Sequence, residues 1–140
     1  MELNLQLAKQ IIDGAEKEAQ NLDVKMVISV VDAGGNLIAL HRMDDAWIGS
    51  VDIAEGKAWT SIAFKLETEI LASLTIPEQE LYGINTTNNG KIVVFGGGIP
   101  LLLDGKVIGA IGVSGSTVQN DMAVAKAGVK AFEDLLVTVK

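Results

Sequence analysis

The chain has 140 residues, no cysteine and a formal net charge of −7, with 49% of its residues apolar. That length suits one domain, residues 1–140, built on one core. The missing cysteines exclude disulfide staples and thiolate zinc sites, and an acidic chain without clustered Lys and Arg argues against nucleic acid and anionic membrane surfaces as partners.

The first ten residues, MELNLQLAKQ, lack the basic and apolar regions of a signal peptide. No apolar run reaches the ~18 residues of a membrane span. A cytoplasmic protein is therefore expected. Residues 3–21 read as a helix, with Leu7, Ala8, Ile11, Ile12, Ala15 and Ala19 on one stripe and charged or amide side chains on the other. Residues 25–31 and 37–41 read as strands joined by the turn Asp32-Ala33-Gly34-Gly35-Asn36. Residues 47–68 read as a long helix with Val51, Ala54, Ala58, Ile62 and Leu66 aligned, followed by a short helix over 69–74 that Pro77 ends.

Strands are expected at 92–95, 99–103 and 106–113, the last two joined by Asp104-Gly105, a strong two-residue hairpin signal. A final amphipathic helix is expected over 117–137, with Ser116 and Gln119 spaced as a capping box. The order is α-β-β-α-α-β-β-β-α. Tight hairpins make the five-stranded sheet mainly antiparallel, flanked by helices.

The glycine-rich stretch FGGGIPLLLDGKVIGAIGVSGST, residues 95–117, organises the functional reading. It has neither Walker A nor G-x-G-x-x-G spacing, so a nucleotide cofactor is not expected. Gly109 and Gly112 serve either close packing of a helix on the sheet or a ligand pressed against it. Gly115-Ser116-Thr117 leads into a helix whose free N–H groups suit an anion. His41 is the only histidine, which rules out two-histidine zinc sites and catalytic triads and leaves structure, acid/base work or an axial haem bond. Met43 and Met122 serve packing or soft ligation. Arg42 beside Asp44 and Asp45 either holds its own loop or meets a carboxylate ligand. Lys57 is either a solvated helix residue or a buried base or anion clamp. Asp44, Asp45, Asp52 and Glu55 could form an oxygen cation site, but without EF-hand spacing.

Together, VVDAGGNLIALHRMDDA, EGKAWTSIAF and FGGGIPLLLDGKVIGAIGVSGSTVQNDMAVAKAG resemble the GlcG/HbpS-type haem-binding family, a module similar to the C-terminal domain of PduO-type corrinoid adenosyltransferases. The resemblance covers essentially the whole chain. It implies a profilin-like α/β fold, homo-oligomers and an accessory role beside glycolate, glycerol or diol metabolism, with haem or another tetrapyrrole as the small-molecule ligand. It places the family's motifs on Asp32 and Gly35; on Arg42, Met43 and Asp44; on Lys57, Ala58 and Thr60; on Gly97, Gly98 and Pro100; and on Ser114, Gly115 and Thr117.

The expected pocket lies between residues 96–100, residues 114–117 and the Lys57 helix. Arg42, Lys57, Gly97, Gly98, Pro100, Ser114, Gly115, Ser116 and Thr117 are its candidate ligand-binding residues. The first helix carries no histidine, so an axial haem ligand would be His41, Thr117 or a methionine. Two rivals stand beside this reading. One is a small isomerase, hydrolase or lyase acting on a short hydroxy- or oxo-acid, with Lys57 and Thr117 as catalytic candidates. The other is a non-catalytic partner of a metabolic enzyme.

Overall fold

In the computed structural model, which describes residues 2–139, a four-stranded antiparallel sheet lies between helices on both faces. The elements in order are α1 (Leu5–Asn21), β1 (Val27–Asp32), β2 (Leu37–Arg42), α2 (Gly49–Phe64), α3 (Thr68–Leu74), β3 (Gly98–Leu103), β4 (Lys106–Ser114) and α4 (Val118–Val139), with short 3-10 turns at Ile84–Thr86 and Asn88–Gly90. The sheet order is β2-β1-β4-β3.

Strand alternation decides which helix covers which face. From β1, Ile28 and Val30 join Ile111 and Val113 of β4 in the large core beneath α1 and α4. The intervening Val27, Ser29 and Val31 face α2: Val27 meets Ala54, Val31 meets Ala58 and Ile62, and Ser29 Oγ donates to Ala54 O at 2.9 Å. The α1 stripe is buried as its spacing requires, through Leu7, Ala8, Ile11, Ile12, Ala15 and Ala19. Full burial of each Ile there contributes about 1.5–3 kcal/mol. Asn4 starts the helix, its side chain accepting the Leu7 N–H at 2.9 Å.

The opposite layer is held close by small residues. A Cβ at Gly112 would strike Ala54 O and Ala58 N, so the backbone of α2 rests directly on β4. This is the packing role read for Gly112 from the sequence.

The five-stranded expectation is corrected to four strands among the described residues. The segment 92–95 is apolar but pairs with no strand. It packs beside α2 instead: Val93 N donates to Thr60 Oγ1 at 3.0 Å, and Ile92 is buried. The long helix read over 47–68 is also divided. Lys65 takes a left-handed conformation (φ 57°) and ends α2, and α3 begins at Thr68. No helix of the described residues is long and apolar enough to cross a membrane.

Candidate functional site

The sheet register assembles the site. Val27 at the start of β1 pairs with Arg42 at the end of β2 and with Ser114 at the end of β4. One end of the sheet therefore gathers residues 24–26, 42–47 and 114–117, which are far apart in the chain. Two clefts open there and share Lys25. One, of about 440 Å³, runs between Lys25, Asp45, Ala46, Trp47 and Gly115-Ser116-Thr117. The other, of about 580 Å³, wraps the end of β2 between Glu16, Gln20, Lys25, His41, Arg42 and Met43.

The loop between β2 and α2 is fixed by its own backbone. Met43 N donates to Met26 O and Ala46 N to Met43 O, both at 3.0 Å. Arg42 Nη1 donates to Ala46 O at 3.1 Å, so this arginine holds the loop through a carbonyl. Trp47 and Ile48, which follow, are 66% and 81% exposed. His41 Nδ1 lies 2.6 Å from Glu16 Oε1 of α1. That contact fixes the imidazole against α1 and leaves Nε2 as the nitrogen free to face a ligand.

The start of α4 forms the other wall. Thr117 Oγ1 accepts the Asn120 N–H at 3.1 Å, and Asp121 Oδ1 accepts the Ser116 N–H at 3.0 Å. The cap read as Ser116 with Gln119 is thus made by Thr117 and Asp121. The N–H groups of Val118 and Gln119, in the first turn, have no intrahelical acceptor.

Beneath this wall lies a buried ion pair. Lys57 Nζ donates to Asp121 Oδ2 and to Val113 O, both at 2.8 Å, and stands 4.9 Å from the Phe95 ring centroid. Burial pushes the Lys57 ammonium below its ordinary value, opposed by Asp121. Burial pushes the Asp121 carboxyl up, opposed by Lys57 and by the Ser116 and Gly115 N–H groups. The pair ties α2 to the 114–117 loop.

The structure separates the residues predicted for the site. Arg42, Gly115, Ser116 and Thr117 line the two clefts, and His41 stands beside Arg42. Lys57, expected as a base or anion clamp, is fully buried and lines neither cleft, and its ammonium bonds Asp121 and Val113 instead. Gly97, Gly98 and Ser114 are buried packing residues, and Pro100 sits within β3. A Cβ on Gly97 (φ 126°) would fall 2.6 Å from Val113 O and 2.7 Å from Lys57 Nζ, so the expected space between residues 96–100 and the Lys57 helix is filled by the lysine itself. Ser114 Oγ donates to Ser50 Oγ at 3.1 Å. Met122 packs on Gly96, and Met43 Sδ accepts the Met26 N–H at 3.4 Å. Among the described residues no group of three His, Asp or Glu is placed to hold a metal ion, which removes the acidic cation site.

Three residues of this region escape a sequence reading. Lys25 looks like the first residue of a strand, and Trp47 like the first residue of a helix. Asp121 is 64 positions from its partner Lys57, and nothing local marks such a pair. The one available signal is the lysine placed on an otherwise small-residue helix face.

Known proteins share this architecture. A family model described as haem degrading protein HbpS-like matches residues 3–130. An uncharacterized 15.0 kDa protein in the dhaT-dhaS intergenic region of Citrobacter freundii is 42% identical over 95% of this chain and 94% of its own length. Corrinoid adenosyltransferase PduO of the same organism is 40% identical over 94% of this chain, which spans 39% of that longer protein. The crystal structure of a PduOC haem complex superposes with a TM-score of 0.90 at 39% identity, covering 94% of this chain and 95% of that one. By its family match and by relatives of this identity and coverage, the chain belongs to the HbpS-like family.

Proposed function

We propose that this protein is a haem- or tetrapyrrole-binding accessory protein whose ligand lies in the groove formed by the two clefts around Lys25. The observation that carries this reading is the convergence there of complementary chemistry. Lys25 and Arg42 supply cationic groups for propionates. The first turn of α4 supplies N–H donors and a favourable dipole for an anion. The exposed Trp47 and Ile48 supply apolar surface for a macrocycle face. His41, with Nδ1 held by Glu16, would offer Nε2 to the haem iron as a nitrogen donor of the kind that a neighbouring carboxylate orients. These residues fit haem, and haem when bound would supply a redox-active iron.

The PduOC haem complex, on a fold matched over nearly the whole of this chain, supports the ligand class. The accessory role draws support from PduO, in which a domain of this kind accompanies an adenosyltransferase. Because both clefts are open and Ile48 is 81% exposed, a second copy of the chain closing over the groove belongs to the same proposal. Haemin titration followed at the Soret band tests the reading. A saturable shift at micromolar protein is expected, and no saturable shift overturns it.

A further inference from the structure

A third cleft lies at the opposite end of the sheet, beside the β1–β2 turn, and has an aromatic wall flanked by carboxylates. It measures about 640 Å³ and runs along the outer face of α2. Asp52, Glu55, Gly56 and Trp59 recur along this helix at spacings that put them on one face. Gly35 packs against the Trp59 indole from the turn side. Carboxylates on an exposed helix face are ordinarily just solvated. What distinguishes this face is that a cation already occupies its aromatic wall: Lys91 Nζ stands 5.2 Å from the Trp59 ring centroid. Lys91 is exposed and follows Gly90 (φ 74°) at the end of a 3-10 turn. An exposed pairing of this kind is weak, and the lysine side chain can swing away without disturbing the core.

We propose that this cleft is a binding site for organic cations, primary or quaternary ammonium groups, in which Lys91 is a built-in occupant that the ligand displaces. The indole face receives the cation and the Asp52 and Glu55 carboxylates add its counter-charge. Gly56 lets the Lys91–Val93 segment, the other wall of the cleft, pack directly on the helix. The site shares no lining residue with the haem groove, where Lys25 and Arg42 stand among Glu16, Asp44 and Asp45.

The test is titration of the nitrogen-15-labelled protein with tetramethylammonium chloride against sodium chloride at matched ionic strength, following the two tryptophan indole N–H resonances, with Trp59→Phe identifying that of Trp59. A saturable shift of the Trp59 signal with tetramethylammonium only, while Trp47 stays in place, is expected. Lys91→Ala should tighten binding about two- to fivefold, by removing a competitor of exposed cation–π strength, and Asp52→Asn with Glu55→Gln should weaken it. Both variants change exposed or half-exposed side chains, and haemin binding by the same samples should be unaltered. A Trp59 resonance that follows ionic strength alone, or a Lys91→Ala protein with no greater affinity than the parent, overturns the proposal without touching the haem reading.

Discussion

Lys57 Nζ and Asp121 Oδ2 are 2.8 Å apart, and both side chains are shut away from solvent. The pair joins the middle of α2 to the first turn of α4, and through Asp121 Oδ1 it holds the N–H of Ser116, which lines the cleft beside Lys25. Removing one partner leaves a buried charge without its counterpart. Lys57→Met or Asp121→Asn alone should therefore cost about 3–5 kcal/mol. The double variant should cost less than the sum, because no charge is stranded and the amide oxygen introduced by Asp121→Asn can still accept from Ser116. Urea unfolding of the four proteins in a double-mutant cycle measures this. Strict additivity would show that the two side chains do not interact.

The contact between α2 and β4 rests on the missing side chain at Gly112. Gly112→Ala places a methyl group against Ala54 O and Ala58 N. It should destabilise by about 1–3 kcal/mol through overpacking. Gly49→Ala is the control, since a Cβ there meets nothing within 4 Å, and should be neutral or slightly stabilising. Thermal unfolding of both variants decides it, and equal melting temperatures would contradict the packing.

These two cases mark what a single sequence can reveal. The α1 stripe, the two hairpins and the start of α4 are legible because turn residues and helical spacing are local signals. Residues 92–95 read as a strand because apolar runs look alike whether they pair with a strand or pack beneath a helix. The Thr60 hydroxyl, 33 positions away, bonds that segment in place of a ladder. Arg42 and residues 115–117 come to line the clefts because turns and helix starts expose backbone. The burial of Lys57 is not legible, since it depends on Asp121 and on a glycine at position 97. Each of those contacts is long-range.

Asp32 gives a dependence on acid. Its carboxylate accepts from the Asn36 and Gly34 N–H groups at 2.9 Å, closing the β1–β2 turn. The bond from the Asn36 backbone is the main cause holding its carboxyl below the ordinary aspartate value of 3.8, and burial opposes it. A carboxyl with a depressed folded value adds stability that is complete above its unfolded value and disappears as the pH falls through the folded one. Asp32→Ala should thus destabilise the protein at pH 7, and the difference from the parent should narrow below 3.8. Unfolding midpoints against pH give the comparison. A gap that stays constant into acid would remove the carboxylate from the turn.

Haem in the groove also implies a division of work among its walls. Lys25→Ala and Arg42→Ala should each weaken haemin binding about two- to fivefold, as expected for partly exposed ion pairs. The effect should shrink in high salt. Apparent affinities at two ionic strengths test it, and salt-insensitive losses would assign the two side chains a packing role instead.

The most direct measurement is the haemin titration of the parent chain beside His41→Ala, with Trp59→Phe in the opposite cleft as control. A saturable Soret shift is predicted for the parent and the control, and an altered band position for His41→Ala, whose fold should survive because His41 is exposed and its imidazole bonds to Glu16 at the surface. No shift in the parent, or a His41→Ala spectrum identical to it, would contradict the placement of haem beside His41.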